Sequence, residues 1–305
     1  MHLATFDDDR LGVVLDDRIV DVSDVVDGTD DTRGTGGGGL GAGRMRRYIA
    51  DPRPEEVAVA ARTRPGRPLA EVTLRAPVPD PRVIVAAPVN YLDHQQEMRE
   101  SADVGALGFF LKAPSSLLGD GGTVRLPYGD RRFDHEAEIA VVIGRKTRDV
   151  CEADALDHVF GYTGLLDITM RGGEDRSIRK SFDTFTPCGP WIATPDELAD
   201  PADVAFSLTN NGELRQKAST SGLIWGVARF VAYVSTVLTL RPGDILSTGT
   251  PAGVSPLLDG DVVSMRADGI GTLTVRVDGS STTPSPTRGH HSGPTPPPGD
   301  RGGAR

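Results

Sequence analysis

Cysteine is scarce. Cys151 and Cys188 are the only two in 305 residues, and they form neither a CxxC pair nor a framework of spacings. That argues against a disulfide scaffold or a zinc ribbon and suits a reducing cytoplasm. A chain of this length can bury a core without either device, in one large domain or one large and one small. Long apolar runs are also missing: no segment approaches the ~20 residues that span a bilayer. The opening MHLATFDDDR has no basic stretch followed by an apolar one, so no signal peptide is expected. Basic charge is in deficit, with 33 Lys and Arg against 43 Asp and Glu and a net charge of −10. Such a balance argues against a nucleic-acid surface. The last 27 residues contribute +2, so the rest carries −12. An anionic substrate would then need a local cation to override the field, and a metal is one candidate.

Strand-like pieces open the chain: HLATF, RLGVVL and RIVDV. Residues 28–43, GTDDTRGTGGGGLGAG, offer almost nothing to bury and read as a flexible loop. A short helix, EEVAVAARTR, follows, then a strand EVTLRAPVPDP ending in a proline-rich connector, with a domain boundary expected near residue 78. Beyond it lie strands between Gly, Pro and Asp turns: RVIVAA, GFFLK, EIAVVIG, FGYTGLLDI and VAFSLTNNG. Leu223, Val227, Phe230, Val231, Val234, Val237 and Leu238 follow helical spacing, with Ser219 to Ser221 as the expected cap. Two turn–Gly–Asp–apolar stretches, RPGDILSTGTPAG and LDGDVVSMRADGIGTLTVRV, suggest neighbouring strands. Residues 279–305 are rich in proline and glycine and read as a disordered tail, in which His290 and His291 are incidental.

The stretch FDHEAEIAVVIG sets Asp134, Glu136 and Glu138 on one face of an expected strand, with Ala137, Ile139 and Val141 on the other. Alone, that acidic face fits a solvated edge strand. Asp167, between Leu166 and Ile168 in a second expected strand, changes the balance. Two carboxylates from one strand and one from a neighbour make three oxygen ligands for a hard divalent cation such as magnesium. Histidine and thiolate are not placed to help, which disfavours zinc or copper.

Three weaker patterns accompany the acids. In NYLDHQQEM, His94 and Glu97 fall at i and i+3, so a helix would put a carboxylate beside an imidazole, as a general base requires. From spacing alone, an ordinary surface pair fits better. Arg171 and Lys180 in MRGGEDRSIRKSFDTF could face an anion, yet so charged a stretch equally suits solvent. TGTPAG at 248–253 has small residues and the Thr250 hydroxyl, and fits a plain turn as well as a ligand-binding one.

Taken in order, NYLDHQQE, GFFLKAPSSLLG, DHEAEIAVVIG, GYTGLLDITMR, KSFDTFTPCGPW, NNGELRQ and LRPGDILSTGTPAGV resemble the fumarylacetoacetate hydrolase family. The matches run from residue 83 to about 277, ending in DGIGTL. The resemblance implies a mixed α+β fold, mainly β, with a β-roll catalytic domain over 79–278 and a small variable N-terminal α/β domain over 1–78. It implies a homodimer and a divalent metal, commonly Mg²⁺, with Mn²⁺ or Ca²⁺ as substitutes. By motif, Glu136 and Glu138 match the E-x-E metal ligands, Asp167 the aspartate ligand, and Asp134 a residue supporting them. His94 and Glu97 match a catalytic dyad on a segment that orders as a lid. Lys180 matches the lysine that contacts substrate or its developing oxyanion. Thr250 matches the threonine of the substrate-binding turn, and Tyr91 and Arg171 stand in the matched motifs as substrate contacts.

Two stretches depart from the family pattern: AAPVNY where GLNY is commoner, and GGEDRSIRK where an acid and a glutamine are commoner. The expected activity is hydrolysis of a C–C bond in a small anionic β-dicarbonyl acid such as an acylpyruvate, leaving an enolate steadied by the metal. Isomerisation or decarboxylation of an unsaturated 2-hydroxy diacid would use the same site without hydrolytic attack. A non-catalytic ligand-binding protein is the third class, against which the His94–Glu97 pair speaks.

Overall fold

A computed structural model of the chain describes residues 1–27 and 41–287. Most of the expected loop at 28–43, and the tail from 288 with His290 and His291, lie outside the described residues.

The strand Ala137–Ile143 lies at the centre, and every one of its residues is buried. A near-continuous Val/Ile run of this kind is what a strand covered on both faces requires. Its alternation divides the core. Ile139, Val141 and Ile143 join one apolar cluster, while Ala140 and Val142 join another. The strand belongs to an eleven-stranded sheet. It is flanked by Val159–Leu166 on one side and Ile245–Ser247 on the other, both antiparallel. Outward from Ile245–Ser247 come Ile84–Ala86, parallel, and Phe110–Lys112, antiparallel. Outward from Val159–Leu166 comes Thr186–Ala193.

The sheet then continues into the N-terminal segment. His2–Phe6 pairs with Thr186–Ala193 in the register His2↔Ala193 and Leu3↔Ile192, and Arg10–Leu15 and Arg18–Asp21 follow. The helices Arg44–Ala50 and Pro54–Thr63 close over that end. Leu3, Leu11, Val13, Tyr48 and Val57 share one cluster with Ala140, Leu165, Ile192 and Ile245. Strands on either side of the expected boundary near residue 78 therefore bond into one sheet.

Against the other face packs a five-stranded sheet, ordered Glu213–Ser219, Ala205–Asn210, Val262–Ala267, Gly271–Asp278, Thr123–Arg125. Leu208, Met265, Leu273 and Val275 from it meet Ile139 and Val141 in the same cluster. The architecture is mixed α+β and mainly sheet, as expected.

Three local expectations need correction. EVTLRAPVPDP is not a strand: it contributes a single bridge, Leu74 to Phe6, because Pro77, Pro79 and Pro81 lack the N–H a ladder needs. The amphipathic helix is Val227–Val237 and starts after Gly226, not at the serines. Ser219 and Ser221 instead bond to the Asp203 carboxylate in a 3-10 turn, and Leu223 pairs with Tyr91. The segment expected to be disordered from Gly279 is bonded to the body as far as it is described, to Thr287.

A small three-stranded sheet positions the site. Phe133–His135 lies between Thr169–Met170 and Ser255–Pro256. Phe133–His135 leads into Ala137–Ile143, and the chain changes sheets at Glu136. The neighbouring strand makes the same change between Leu166 and Thr169. Asp134, Glu136 and Glu138 thus do not share one uninterrupted strand, although all three are buried.

Candidate metal centre and its base

The double change of sheet creates the carboxylate cluster. Ala137 stands opposite Leu166 and Glu138 opposite Leu165, and just past that register the Asp167 amide donates to the Glu136 carbonyl at 2.8 Å. Glu136, Glu138 and Asp167 are buried, and each presents a carboxylate oxygen within 4.8 Å of the others. Buried carboxylates need compensation.

Glu136 has cations. Lys180 Nζ donates to its Oε2 at 2.7 Å and Arg171 Nη2 to its Oε1 at 2.8 Å. Burial alone would raise this carboxyl, but Lys180, Arg171 and His94 outweigh burial and hold it well below the ordinary range. Arg171 also donates through Nε to Asp134 at 2.7 Å, and Arg132 reaches the other Asp134 oxygen at 2.7 Å. Asp134 therefore fixes the arginine that fixes Glu136. Asp167 receives two lysines, Lys180 on Oδ2 and Lys112 on Oδ1. Lys180 further donates to Thr169 Oγ1 at 2.7 Å and lies 5.2 Å from the Phe110 ring centre.

Glu138 is held by neutral donors, the Ser247 hydroxyl at 2.5 Å and the Gly249 amide at 2.8 Å. Burial, with the Asp167 charge beside it, pushes its carboxyl up to about 8. Its ionised form is thus the one a cation would stabilise. Three converging hard oxygens, one of them without a close cation, fit a divalent cation.

The second constellation is local. His94 and Glu97 lie on the short helix Leu92–Glu97, with His94 Nδ1 3.0 Å from Glu97 Oε2. An ionised carboxylate only accepts, so in the neutral ring Nδ1 carries the proton and Nε2 the basic lone pair. Glu97 is itself fixed, since its Oε1 accepts from the Gly253 amide at 3.0 Å. Gly253 has φ +100°, and a Cβ there would come within 2.0 Å of the Arg215 carbonyl oxygen. Only glycine can present that amide.

Tyr91 precedes the helix; its ring is buried and its hydroxyl has no hydrogen-bond partner. Burial, then the charges of Glu138 and Asp93, raises its phenol well above the usual value. Thr250 lies under the cluster. Its hydroxyl donates to the Ala137 carbonyl at 2.9 Å and accepts from Gln216 Nε2 at 2.8 Å.

Sequence reasoning missed three supports. Lys112, with its side chain fully buried, also donates to the Phe185 carbonyl at 3.1 Å. Alternation with buried Phe110 in FFLK put that lysine on an inward face, where a charge needs a partner. Gln216 accepts from the Ala137 amide at 3.0 Å and lies 3.2 Å from His135 Nδ1. Burial lowers the His135 imidazole to about 4, so the ring is neutral. Asn90 holds the start of the dyad segment, donating to the carbonyls of Thr248 at 2.8 Å and Trp225 at 3.0 Å. Asn90 and Gln216 lie in the matched stretches NYLDHQQE and NNGELRQ, but no local pattern assigns either one a role.

A sheet corner holding three carboxylates, with a His–Glu pair and a lysine beside it, is the frame of a metal-dependent enzyme. Residues 83–278 match the family described as fumarylacetoacetate (FAA) hydrolase C-terminal, and the chain belongs to that family. The maleylpyruvate hydrolase of Aquipseudomonas alcaligenes is 38% identical over 286 residues, covering 90% of this chain and 98% of that protein. Among solved structures, maleylpyruvate hydrolase from Sphingobium sp. SYK-6, in complex with manganese(II) and pyruvate, is 40% identical with a TM-score of 0.80. That alignment covers 92% of this chain and 100% of the other. The 2-hydroxyhepta-2,4-diene-1,7-dioate isomerase from Mycobacterium marinum is 38% identical with a TM-score of 0.62, covering 72% and 82%. Among the described residues, no helix is long and apolar enough to cross a membrane.

Proposed function

We propose that this chain is a divalent-metal-dependent hydrolase that cleaves a C–C bond in a small β-dicarbonyl acid of the acylpyruvate class. The observation that carries the reading is the His94–Glu97 pair beside a three-carboxylate cluster, in a chain similar over nearly its whole length to maleylpyruvate hydrolases. Glu136, Glu138 and Asp167 are the ligands, and Mg²⁺ is the physiological ion, with Mn²⁺ or Ca²⁺ able to replace it. Bound there, the cation would supply Lewis acidity towards the oxygens of an anionic substrate.

The chain's own groups do the rest. His94 Nε2 takes a proton from the water that attacks the distal carbonyl, while Glu97 steadies the imidazolium. The C–C bond breaks, its electron pair passes to the 2-oxo fragment as an enolate, and a proton returns to carbon. The Lys180 charge, held beside Glu136 and Asp167, and backbone donors of the turn around Thr250 steady the developing negative charge. Arg171 and the unpartnered Tyr91 hydroxyl complete the contacts to an anionic substrate. Thr250 serves through its backbone, because its hydroxyl is bonded to Ala137 and Gln216. The reading includes a homodimer in a reducing cytoplasm, which two free cysteines suit.

Similarity to the M. marinum isomerase supports a second reading, isomerisation or decarboxylation of an unsaturated 2-hydroxy diacid at the same site. Labelled water separates the two. A Mg²⁺- and Mn²⁺-supplemented screen of acylpyruvates and unsaturated 2-hydroxy diacids, followed by loss of the enol absorbance, identifies the substrate. Hydrolysis places ¹⁸O in the released carboxylate; turnover without label removes the hydrolase reading. Binding with no turnover of any member would favour a ligand-binding protein.

A further inference from the structure

The family match ends at residue 278, yet the chain beyond it is bound to the body. Thr283 pairs in parallel with Tyr128, its amide donating to the Pro127 carbonyl at 3.0 Å while the Gly129 amide donates back at 3.1 Å. The Ser285 amide then donates to Asp130 Oδ1 at 2.8 Å. Pro284 and Pro286 flank Ser285 and restrict the segment before it docks.

Its end meets the loop that carries Arg171 and Lys180. Arg131 donates to both oxygens of Glu174, at 2.8 and 2.9 Å, and to the Arg171 carbonyl at 3.0 Å. The same guanidinium donates to Ser285 Oγ and to the Thr287 carbonyl, each at 3.2 Å. Thr287 Oγ1 donates to Glu174 Oε1 at 2.6 Å. The Arg131 and Glu174 side chains are only 8% and 11% exposed. Gly172 shows how closely the loop is packed on this pair: a Cβ there would lie 2.2 Å from Arg131 Nη2 and 2.4 Å from Glu174 Oε2. The stretch GGEDRSIRK thus touches the segment that lies outside the family match.

We propose that Ser281–Thr287 is a strap that positions the Arg171–Lys180 loop through Arg131 and Glu174, and so sets how firmly the enzyme holds its anionic ligand. Glu174 and Thr287 are positioning residues: neither bonds to the carboxylate cluster, but the loop they hold ends in two side chains that do. For the ligand, the inference rests on the proposed function; for the loop, it does not.

Two truncations test it, one ending at Ser280 and a control ending at Thr287. Hydrogen exchange of amides 172–179 and the Kd of pyruvate for the Mn²⁺-loaded protein are read in both. The shorter chain should exchange faster in that loop and bind pyruvate about three- to tenfold more weakly, the scale of one or two lost hydrogen bonds. The control should match the full chain in both. Unchanged exchange in the shorter chain overturns the strap, and faster exchange with unchanged pyruvate affinity overturns its positioning role. If the shorter chain does not fold, Glu174→Gln combined with Thr287→Val carries the same expectations. A full chain that neither binds pyruvate nor hydrolyses an acylpyruvate counts against the proposed reaction, while loop exchange still decides the strap.

Discussion

The backbone of Asp167 is bonded to that of Glu136, amide to carbonyl at 2.8 Å. Two of the three carboxylates are thereby tied at the point where two adjacent strands both leave the large sheet. Their spacing follows from the ladder rather than from flexible side chains, which is the preorganisation a metal centre needs.

Glu138 should be indispensable to metal binding. Replacing it with alanine is expected to weaken Mn²⁺ by more than ~10²-fold and to remove turnover with it. Calorimetric titration of metal into the apo variant is the direct check. Activity that survives in Glu138→Ala under excess chelator would defeat the metal centre as drawn.

The dyad should separate chemistry from binding. His94→Ala is expected to lower kcat by ~10²–10⁴-fold and leave the Mn²⁺ affinity of the protein nearly unchanged. Glu97→Gln keeps the shape but not the charge behind Nδ1, and should cost less. Equal losses of metal and turnover in the histidine variant would assign it to the ligand set instead.

Lys112 has no route to solvent, and burial lowers its ammonium despite the Asp167 charge. Lys112→Met should destabilise the fold by roughly 3 kcal/mol, because it leaves Asp167 buried with one cation fewer. Urea unfolding at neutral pH measures this. A variant as stable as the parent would mean that Lys180 alone suffices for Asp167.

Glu174 gives a pH dependence with a defined sign. Hydrogen bonds from Arg131, against a smaller opposing effect of burial, lower its carboxyl from 4.5 to about 2. A depressed carboxyl contributes stability that is complete above the unfolded value and lost as pH falls towards the folded one. The parent should therefore exceed Glu174→Gln by about 2 kcal/mol at pH 7, with the gap closing below about pH 4.5. Denaturant midpoints at pH 7, 5 and 4 test the trend, and a gap that widens on acidification contradicts it.

Much of this was legible one-dimensionally. The apolar run EIAVVIG announced a strand, and the helical stripe of Val227, Phe230, Val231 and Val234 announced the helix. Where the sequence misled, a tertiary partner prevailed. Ser219 and Ser221 look like a helix cap, but Asp203 takes their hydroxyls. Gly279 onwards looks uniformly disordered, but Asp130, Arg131 and Glu174 offer partners that composition cannot show.

The sequence by itself determined the chemistry available: three acids in strand-like surroundings, His94 three residues before Glu97, and a motif order that names a family. These are properties of residue type and spacing, which period and order preserve. Only the tertiary structure decided how the acids are charged and held. It placed Lys112, 55 residues away, on Asp167, and it left Glu138 to neutral donors. It also brought the segment at 281–287 onto the loop of Lys180. Charge compensation in a buried site depends on distance in space, and distance along the chain carries almost no record of it.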